Sequence, residues 1–399
     1  MSAATFAQPE RSTELRLFPV LAAWNRPLEK GVAAPPAFVG HRAFIPVEGG
    51  TVVAYDLETG EALWTAAGAP RSAPASGDGL LFLAEPDAIT ALSQDTGGVA
   101  WRLPYAAASA VPLVWDNGWL IGADIEGHVL ALRASDGALI WRQALDGKVH
   151  AVPALAADRV YVALEDGRVV ALDVSTGAPL WERRLGGPPN DMLALADRVY
   201  VGSDDNFFYC ILAANGEVGW RWRTGGDVIG VPVADEHRVY FVSKDNVLRG
   251  LDRRSGSQRW QRPLPARPTR GPVKAGDLLL VSGLAPRVSG FEMKDGAPAG
   301  DIPAPGELAA APFVTDAHGL PQVVLVARDI TKGTRILAVR RTVDPPMNTP
   351  LPVLPNAITI GKPGTPGDPT ATPPGAAPAR PPDSPAFADP AAPRTAPRR

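Results

Sequence analysis

Six tryptophans, Trp64, Trp101, Trp141, Trp181, Trp220 and Trp260, follow one another at spacings of 37, 40, 40, 39 and 40 residues. Trp24 stands 40 residues before Trp64 and extends the series backward. A glycine precedes each of the six later tryptophans by four residues, at Gly60, Gly97, Gly137, Gly177, Gly216 and Gly256, and Gly296 carries that series forward. A unit this short cannot bury an apolar face alone, so it must pack against copies of itself. The period therefore restricts the chain to repeat architectures.

The content of each unit selects among them. In the fourth repeat, Val152–Leu155, Arg159–Leu164, Arg168–Asp173 and Pro179–Arg183 read as four short strands, a to d. Val, Leu and Tyr fill these runs, and Gly, Asp and Pro punctuate them. Four strands within a period near ~40 residues describe one blade of a β-propeller. The turn before strand d has its own chemistry. Asp56, Asp173 and Asp252 are placed to accept backbone N–H groups two or three residues on. The glycine that follows supplies a positive φ without steric cost. The tryptophan then buries a large ring between blades, with an N–H that needs one partner.

Strand d positions run from Trp64 to Gly300, where glycine replaces the expected tryptophan. The last repeat reaches Arg340 and runs into Asp344-Pro345-Pro346 without a strand d. Leu21 to Leu28, around Trp24, resembles the strand at Arg259 to Leu264. The N-terminal strand is therefore expected to complete the last blade of an all-β, eight-bladed propeller of four-stranded antiparallel blades. Closure of this kind leaves no open edge. Seven blades is the alternative, because the last two repeats are degenerate. The organisation read from this is an extension at 1–19, the propeller at 20–343 and a tail at 344–399. The tail holds 17 of the 43 prolines and few apolar side chains. Such a segment cannot offset its chain entropy by burial, so a disordered tail is expected.

The stretches Ala54-Tyr55-Asp56-Leu57-Glu58-Thr59-Gly60-Glu61-Ala62-Leu63-Trp64 and Ala171 to Trp181 resemble the tryptophan-docking motif of quinoprotein-like propellers. Two branches of that family are relevant. One is similar to the BamB-like propellers, non-catalytic periplasmic lipoproteins that help assemble outer-membrane β-barrels by binding a protein. The other is the dehydrogenases that hold pyrroloquinoline quinone (PQQ) and calcium at the funnel mouth, often below adjacent cysteines. Chain length and sparse loops resemble the first branch. With Cys210 as the single cysteine, there is no vicinal pair, and no lipobox cysteine stands near the N-terminus.

Composition narrows the partners. The 39 basic and 42 acidic residues give a net charge of −3, which offers no electrostatic footprint for nucleic acid. No apolar run is long enough for a transmembrane helix. Ser2 to Ala7 reads either as the end of a signal peptide of a longer precursor or as an ordinary N-terminus. The resemblance implies a periplasmic or cell-envelope location.

Connections from strand d to the next strand a surround one mouth of a propeller channel. They carry Lys30, Arg71, Tyr105, His150, Asn190, Asp191, Asp227, Arg270 and Glu307. This mixed ring can bind an anionic ligand such as a quinone carboxylate. Asp191, Asp227 and Glu307 can offer oxygens to calcium. The competing reading is that polar residues line wet loops by default. His150 is either a general base or a loop histidine, and no Ser-His-Asp arrangement surrounds it. Cys210, on a strand c, reads as a buried small hydrophobe. Arg26, Arg102, Arg142, Arg183, Arg184, Arg221, Arg223 and Arg262 lie on outer strands, either as a basic rim or as charge that blocks edge pairing. Trp115, Trp119 and Trp222 lie off the repeat position, for a partner surface or for added blade packing. The reading is a monomeric, non-enzymatic scaffold that binds another protein and carries no cofactor. The alternative is a PQQ- and calcium-dependent dehydrogenase or a small-ligand propeller.

Overall fold

In the computed structural model, residues 17–105, 109, 111–329 and 333–342 are described. They contain 33 strands and no helix. Seven sheets each hold four sequence-consecutive strands in the order a-b-c-d. In blade four these are Ala154–Ala156, Arg159–Ala163, Arg168–Asp173 and Pro179–Arg184. They match the strands read from the sequence to within two residues, and all pairings are antiparallel.

The eighth sheet is the closure. Phe313–Ala317, Leu320–Asp329 and Gly333–Arg341 form strands a to c, and Val20–Pro27 pairs with the last of these as strand d. A two-residue strand, Glu307–Leu308, pairs with the far half of strand b. The eight-bladed ring with an N-terminal closing strand is thus the observed architecture. Phe38 of blade one stacks on Phe313 of blade eight at 4.8 Å, and Trp24 donates from its indole N–H to the Leu57 carbonyl. Leu17 and Phe18, at the edge of the expected extension, pack into the core of blades seven and eight. The expected tail, 344–399, and residues 1–16 of the expected extension lie outside the described residues.

Each blade is sandwiched between two others, so its middle strands are covered on both faces. Strands b and c are accordingly buried without interruption, as in Val160 to Leu164 and Val169 to Leu172. Their sequences are near-continuous apolar runs for that reason. Strand d is an outer edge and alternates in exposure. A register shift places Ala171 opposite Trp181 and Leu172 opposite Pro179, so Leu180 bulges outward and is 46% exposed.

The tryptophan rings occupy the seams. Every glycine of the turn, from Gly60 to Gly256 and on to Gly296, has φ between 71° and 74°. Each lies under the tryptophan of the preceding blade. A Cβ on Gly177 would come within 2.6 Å of Trp141, and one on Gly216 within 2.5 Å of Trp181. Glycine is required there twice, by the left-handed backbone and by the approach of the ring. The indole N–H finds its partner in the same turn: Trp141 donates to the Val174 carbonyl at 2.7 Å, Trp181 to Ala213 at 2.9 Å and Trp260 to Met293 at 3.1 Å. Asp173 accepts the N–H groups of Ser175 and Thr176 at 3.0 and 2.8 Å, and Asp56 and Asp252 do the same in their turns.

Two further contacts recur that the tryptophan period does not announce. A strand b aromatic packs against the tryptophan of its own blade, as in Tyr161 on Trp181 at 5.8 Å and Tyr240 on Trp260 at 5.7 Å. An arginine at the first position of strand b reaches the turn of the next blade. Arg159 donates to the Ala213 carbonyl, Arg238 to the carbonyls of Met293 and Lys294, and Arg42 to Asp95.

Candidate functional site at the channel mouth

Inner strands a of neighbouring blades touch one another, so they line the axis. Antiparallel pairing puts the start of a, the b–c turn and the end of d on one face. The mouth is built on that face. The Leu145 and Leu185 N–H groups, at the ends of two strands d, donate to Gly127 and Gly167 in the b–c turns.

Of the nine predicted mouth residues, six lie on these connections, while Asn190 and Asp191 fall inside the inner strand Pro189–Ala194 and Glu307 in the strand Glu307–Leu308. Asn190 donates to the Asp204 carboxylate at 3.1 Å and to the Val228 carbonyl at 2.9 Å, which ties blade five to blade six. Asp227 accepts from the Lys244 ammonium at 2.8 Å. Arg270 donates to the Ala309 carbonyl at 2.9 Å, joining blades seven and eight. Burial lowers the Arg270 pKa, and the Glu307 charge partly offsets this. Arg270 and Glu307 line a shallow cavity with Val32, Leu308 and Arg328. Asp191 is half-buried, and burial raises its carboxyl above the ordinary value against the opposing pull of the Val152 N–H and His150. Arg71 and His150 are exposed, and the Tyr105 hydroxyl donates to Asp124 at 2.8 Å.

A calcium-bound quinone does not fit this set. Among the described residues, the one trio of ligating side chains that share a point is Asp124, Glu126 and His128 in blade three. Asp191, Asp227 and Glu307 are not gathered in that way, and Asp227 is already in an ion pair. The blade-three trio is itself occupied by a cation from the protein. The Arg142 guanidinium lies 3.1 Å from the Asp124 carboxylate, which also accepts the Glu126 and His128 N–H groups at 3.0 and 2.9 Å. Burial alone would raise the Asp124 carboxyl, but these donors and Tyr105 hold it below the usual carboxylate range. Its chemistry is that of a satisfied buried charge.

The same construction recurs where the sequence shows Asp205-Asn206 and Asp245-Asn246. Both are b–c turns, with φ of 62° at each asparagine. Asp205 accepts the Gly186 N–H at 3.1 Å and Asp245 the Gly225 N–H at 2.9 Å, so each clamps its turn to the d–a connection. Arg249 neutralises Asp245 at 2.6 Å, and both are largely buried. Cys210 is fully buried on its strand c, and burial raises its thiol pKa. A basic neighbour absent from its flanking sequence arrives across the sheet, with Arg198 3.6 Å from the sulfur. Trp115 lies against Gly77 of the preceding blade, and Trp119 and Trp222 pack against the core. All three serve blade packing.

Eight blades, tryptophan-docked seams and inter-blade polar clamps define a PQQ-like repeat propeller. Sequence comparison makes this specific: the family model described as outer membrane protein assembly factor BamB matches residues 22–114, 85–197 and 193–342, and the chain belongs to that family. The BamB of Bordetella pertussis is 29% identical over 141 residues, 34% of this chain and 35% of that protein. The chain spans 35% to 57% of the lengths of the curated relatives it matches. Among solved structures, BamB from Moraxella catarrhalis superposes with a TM-score of 0.62 at 18% identity, covering 81% of this chain and 100% of that one. Quinohemoprotein alcohol dehydrogenase from Comamonas testosteroni gives 0.65 at 13% identity, covering 82% and 77%. These two superpositions establish a shared fold.

Proposed function

We propose that this chain is a non-catalytic scaffold of the bacterial cell envelope that binds a protein partner and supports assembly of outer-membrane β-barrels. The observation that carries the reading is the run of the BamB family match through the whole ring, residues 22–342. The mouth supports it. Several of its polar groups are spent inside the scaffold: Asn190 and Arg270 hold neighbouring blades together, and Asp227 is in an ion pair with Lys244 within blade six. An enzyme of the quinoprotein type needs donors that converge on a cofactor.

Two measurements test the proposal together. Deleting the gene in its host should lower the amount of folded barrel protein in the outer membrane, read from heat-modifiable gel mobility. The purified chain mixed with PQQ and calcium should leave dye-linked alcohol oxidation at background. Unchanged barrel levels together with quinone-dependent dye reduction would overturn it in favour of the dehydrogenase.

A further inference from the structure

Strand d is the outer edge of every blade, and the free side of an edge strand is a row of backbone N–H and C=O groups open to pairing with another chain. A charged side chain or a proline within the strand blocks such pairing. Arg102, Arg142, Arg183, Arg221, Arg262, Asp301 and Arg26 stand in the strands d of blades two to eight in turn. Blade one differs from all of these: its strand d, Ala62–Ala67, reads Ala-Leu-Trp-Thr-Ala-Ala and holds neither a charge nor a proline.

The backbone of that strand is available. It pairs with strand c of its own blade, Thr51–Asp56, and with no strand on its other side among the described residues. The Gly68 N–H donates to the Gly50 carbonyl at 3.0 Å, in register with a ladder in which Val52 faces Ala66 and Ala54 faces Trp64. Hydrogen-bonded pairs alternate along an antiparallel ladder, so Ala66 and Trp64 bond inward, and the N–H and C=O groups of Thr65 and Ala67 point outward. Thr65 and Ala67 are exposed and small, and Leu63 is 47% exposed where the strand bulges. Glu61 stands just before the strand and Pro70 just after it, which confines the open edge to this stretch.

We propose that strand d of blade one takes up an extended, uncharged segment of a partner protein as a fifth strand. In strand addition of this kind the main-chain hydrogen bonds give affinity and the alternate side chains give specificity. An uncharged segment suits an edge that offers no charge of its own to pair. A second copy of this chain fits less well. Six strand residues span about 20 Å, and two rigid rings meeting along so short an edge bury less than the ~800 Å² per partner of a stable complex. An extended segment bonds through its main chain and needs no such area.

The inference rests on the scaffold reading only for the existence of a protein partner, and adds the edge that meets it. The test uses no envelope partner, so either can fail alone. A fluorescein-labelled hexapeptide of alternating threonine and valine is titrated with the full chain and followed by anisotropy, beside the same peptide with proline at two positions. The alternating peptide should bind saturably and the proline peptide should not. Thr65→Pro removes an outward N–H and no bond within the blade, and should weaken binding about ten-fold. Thr65→Arg supplies the arginine that blades two, three and five carry directly after their tryptophan. It should abolish saturable binding and leave the melting temperature unchanged, because position 65 is exposed. Absence of saturable binding, equal binding of the two peptides, or unchanged affinity in both variants overturns the proposal. So does sedimentation of the chain as a dimer that Thr65→Arg returns to monomer, which would assign the edge to a second copy.

Discussion

Seven seams of this ring are docked by tryptophan, and the seam between blades seven and eight is not. In the seven, the ring lies on a left-handed glycine of the next blade and its N–H meets a carbonyl of the same turn. Blade eight is split: its strand c ends at Arg341 and its strand d starts at Val20. It has no c–d turn, and hence neither the docking glycine nor the accepting carbonyl. A tryptophan at position 300 would have nothing to dock on. Phe18 fills that place from the N-terminal side, with its ring 2.6 Å from where a Gly300 Cβ would stand. The docking motif is thus a device of two blades. Its loss at Gly300 is a consequence of how the ring closes.

The largest effect expected from that contrast is on removing the closure itself. Deleting residues 1–30 strips strand d from blade eight and exposes Ile336 and Ala338, both fully buried. The truncated chain should lose its cooperative melt or aggregate, read by calorimetry and size-exclusion chromatography. A truncated chain that melts like the whole one would disprove closure by the N-terminal strand.

The next effect compares one seam of each kind. Trp181→Ala and Phe18→Ala should each cost about 3–5 kcal/mol in denaturant unfolding. Trp181→Ala also removes an N–H from the Ala213 carbonyl, which keeps its bond from Arg159. A Phe18→Ala cost below about 1 kcal/mol would mean that the closing seam is held by strand pairing alone. A third probe asks whether the missing tryptophan is wanted. Gly300→Trp should destabilise, because its side chain meets Phe18 rather than an open turn; a gain in stability would sink the two-blade account.

How much of this is legible in the sequence follows from the same physics. Seams repeat, so their residues recur at a fixed period, and the glycine, the aspartate and the tryptophan could all be given roles. The closing strand could be read because Trp24 keeps the period. Phe18 could not, since a plug used once has no repeat to announce it. The first-position arginines Arg42, Arg159, Arg198 and Arg238 do recur, each before an apolar residue and an aromatic, and that signal was available. The mouth was legible only as a set of positions. Which of its charges meet depends on side chains from different blades, and spacing along the chain carries no information about that.

The mouth and the b–c turns beside it offer a finer comparison, between two kinds of partly buried aspartate. Burial alone would raise the Asp245 carboxyl, but Arg249, Ser243 and the Gly225 N–H hold it below the ordinary range. Its contribution is present above the unfolded carboxylate pKa and is lost as pH falls through the depressed folded value. Asp245→Ala leaves the Arg249 charge largely buried and should cost about 3 kcal/mol at neutral pH, read from urea midpoints. Equal midpoints would show that this clamp contributes nothing.

Asp191 has the opposite sign. Its carboxyl is raised by burial, and the Val152 N–H and His150 offset this only in part. The folded state therefore binds the proton more tightly than the unfolded one, and stability falls as pH rises through the unfolded value toward the raised folded value. At neutral pH the charge is a net cost. Asp191→Asn keeps an acceptor for the Val152 N–H and removes that charge, so it should raise the melting temperature at neutral pH by about 1–3 °C. The gain should vanish once pH falls below the unfolded carboxylate value, where folded and unfolded states both hold the proton. A variant that melts lower than wild type at neutral pH would show that the charge of Asp191 is needed at the mouth. That outcome would move the mouth from inter-blade clamp toward binding site.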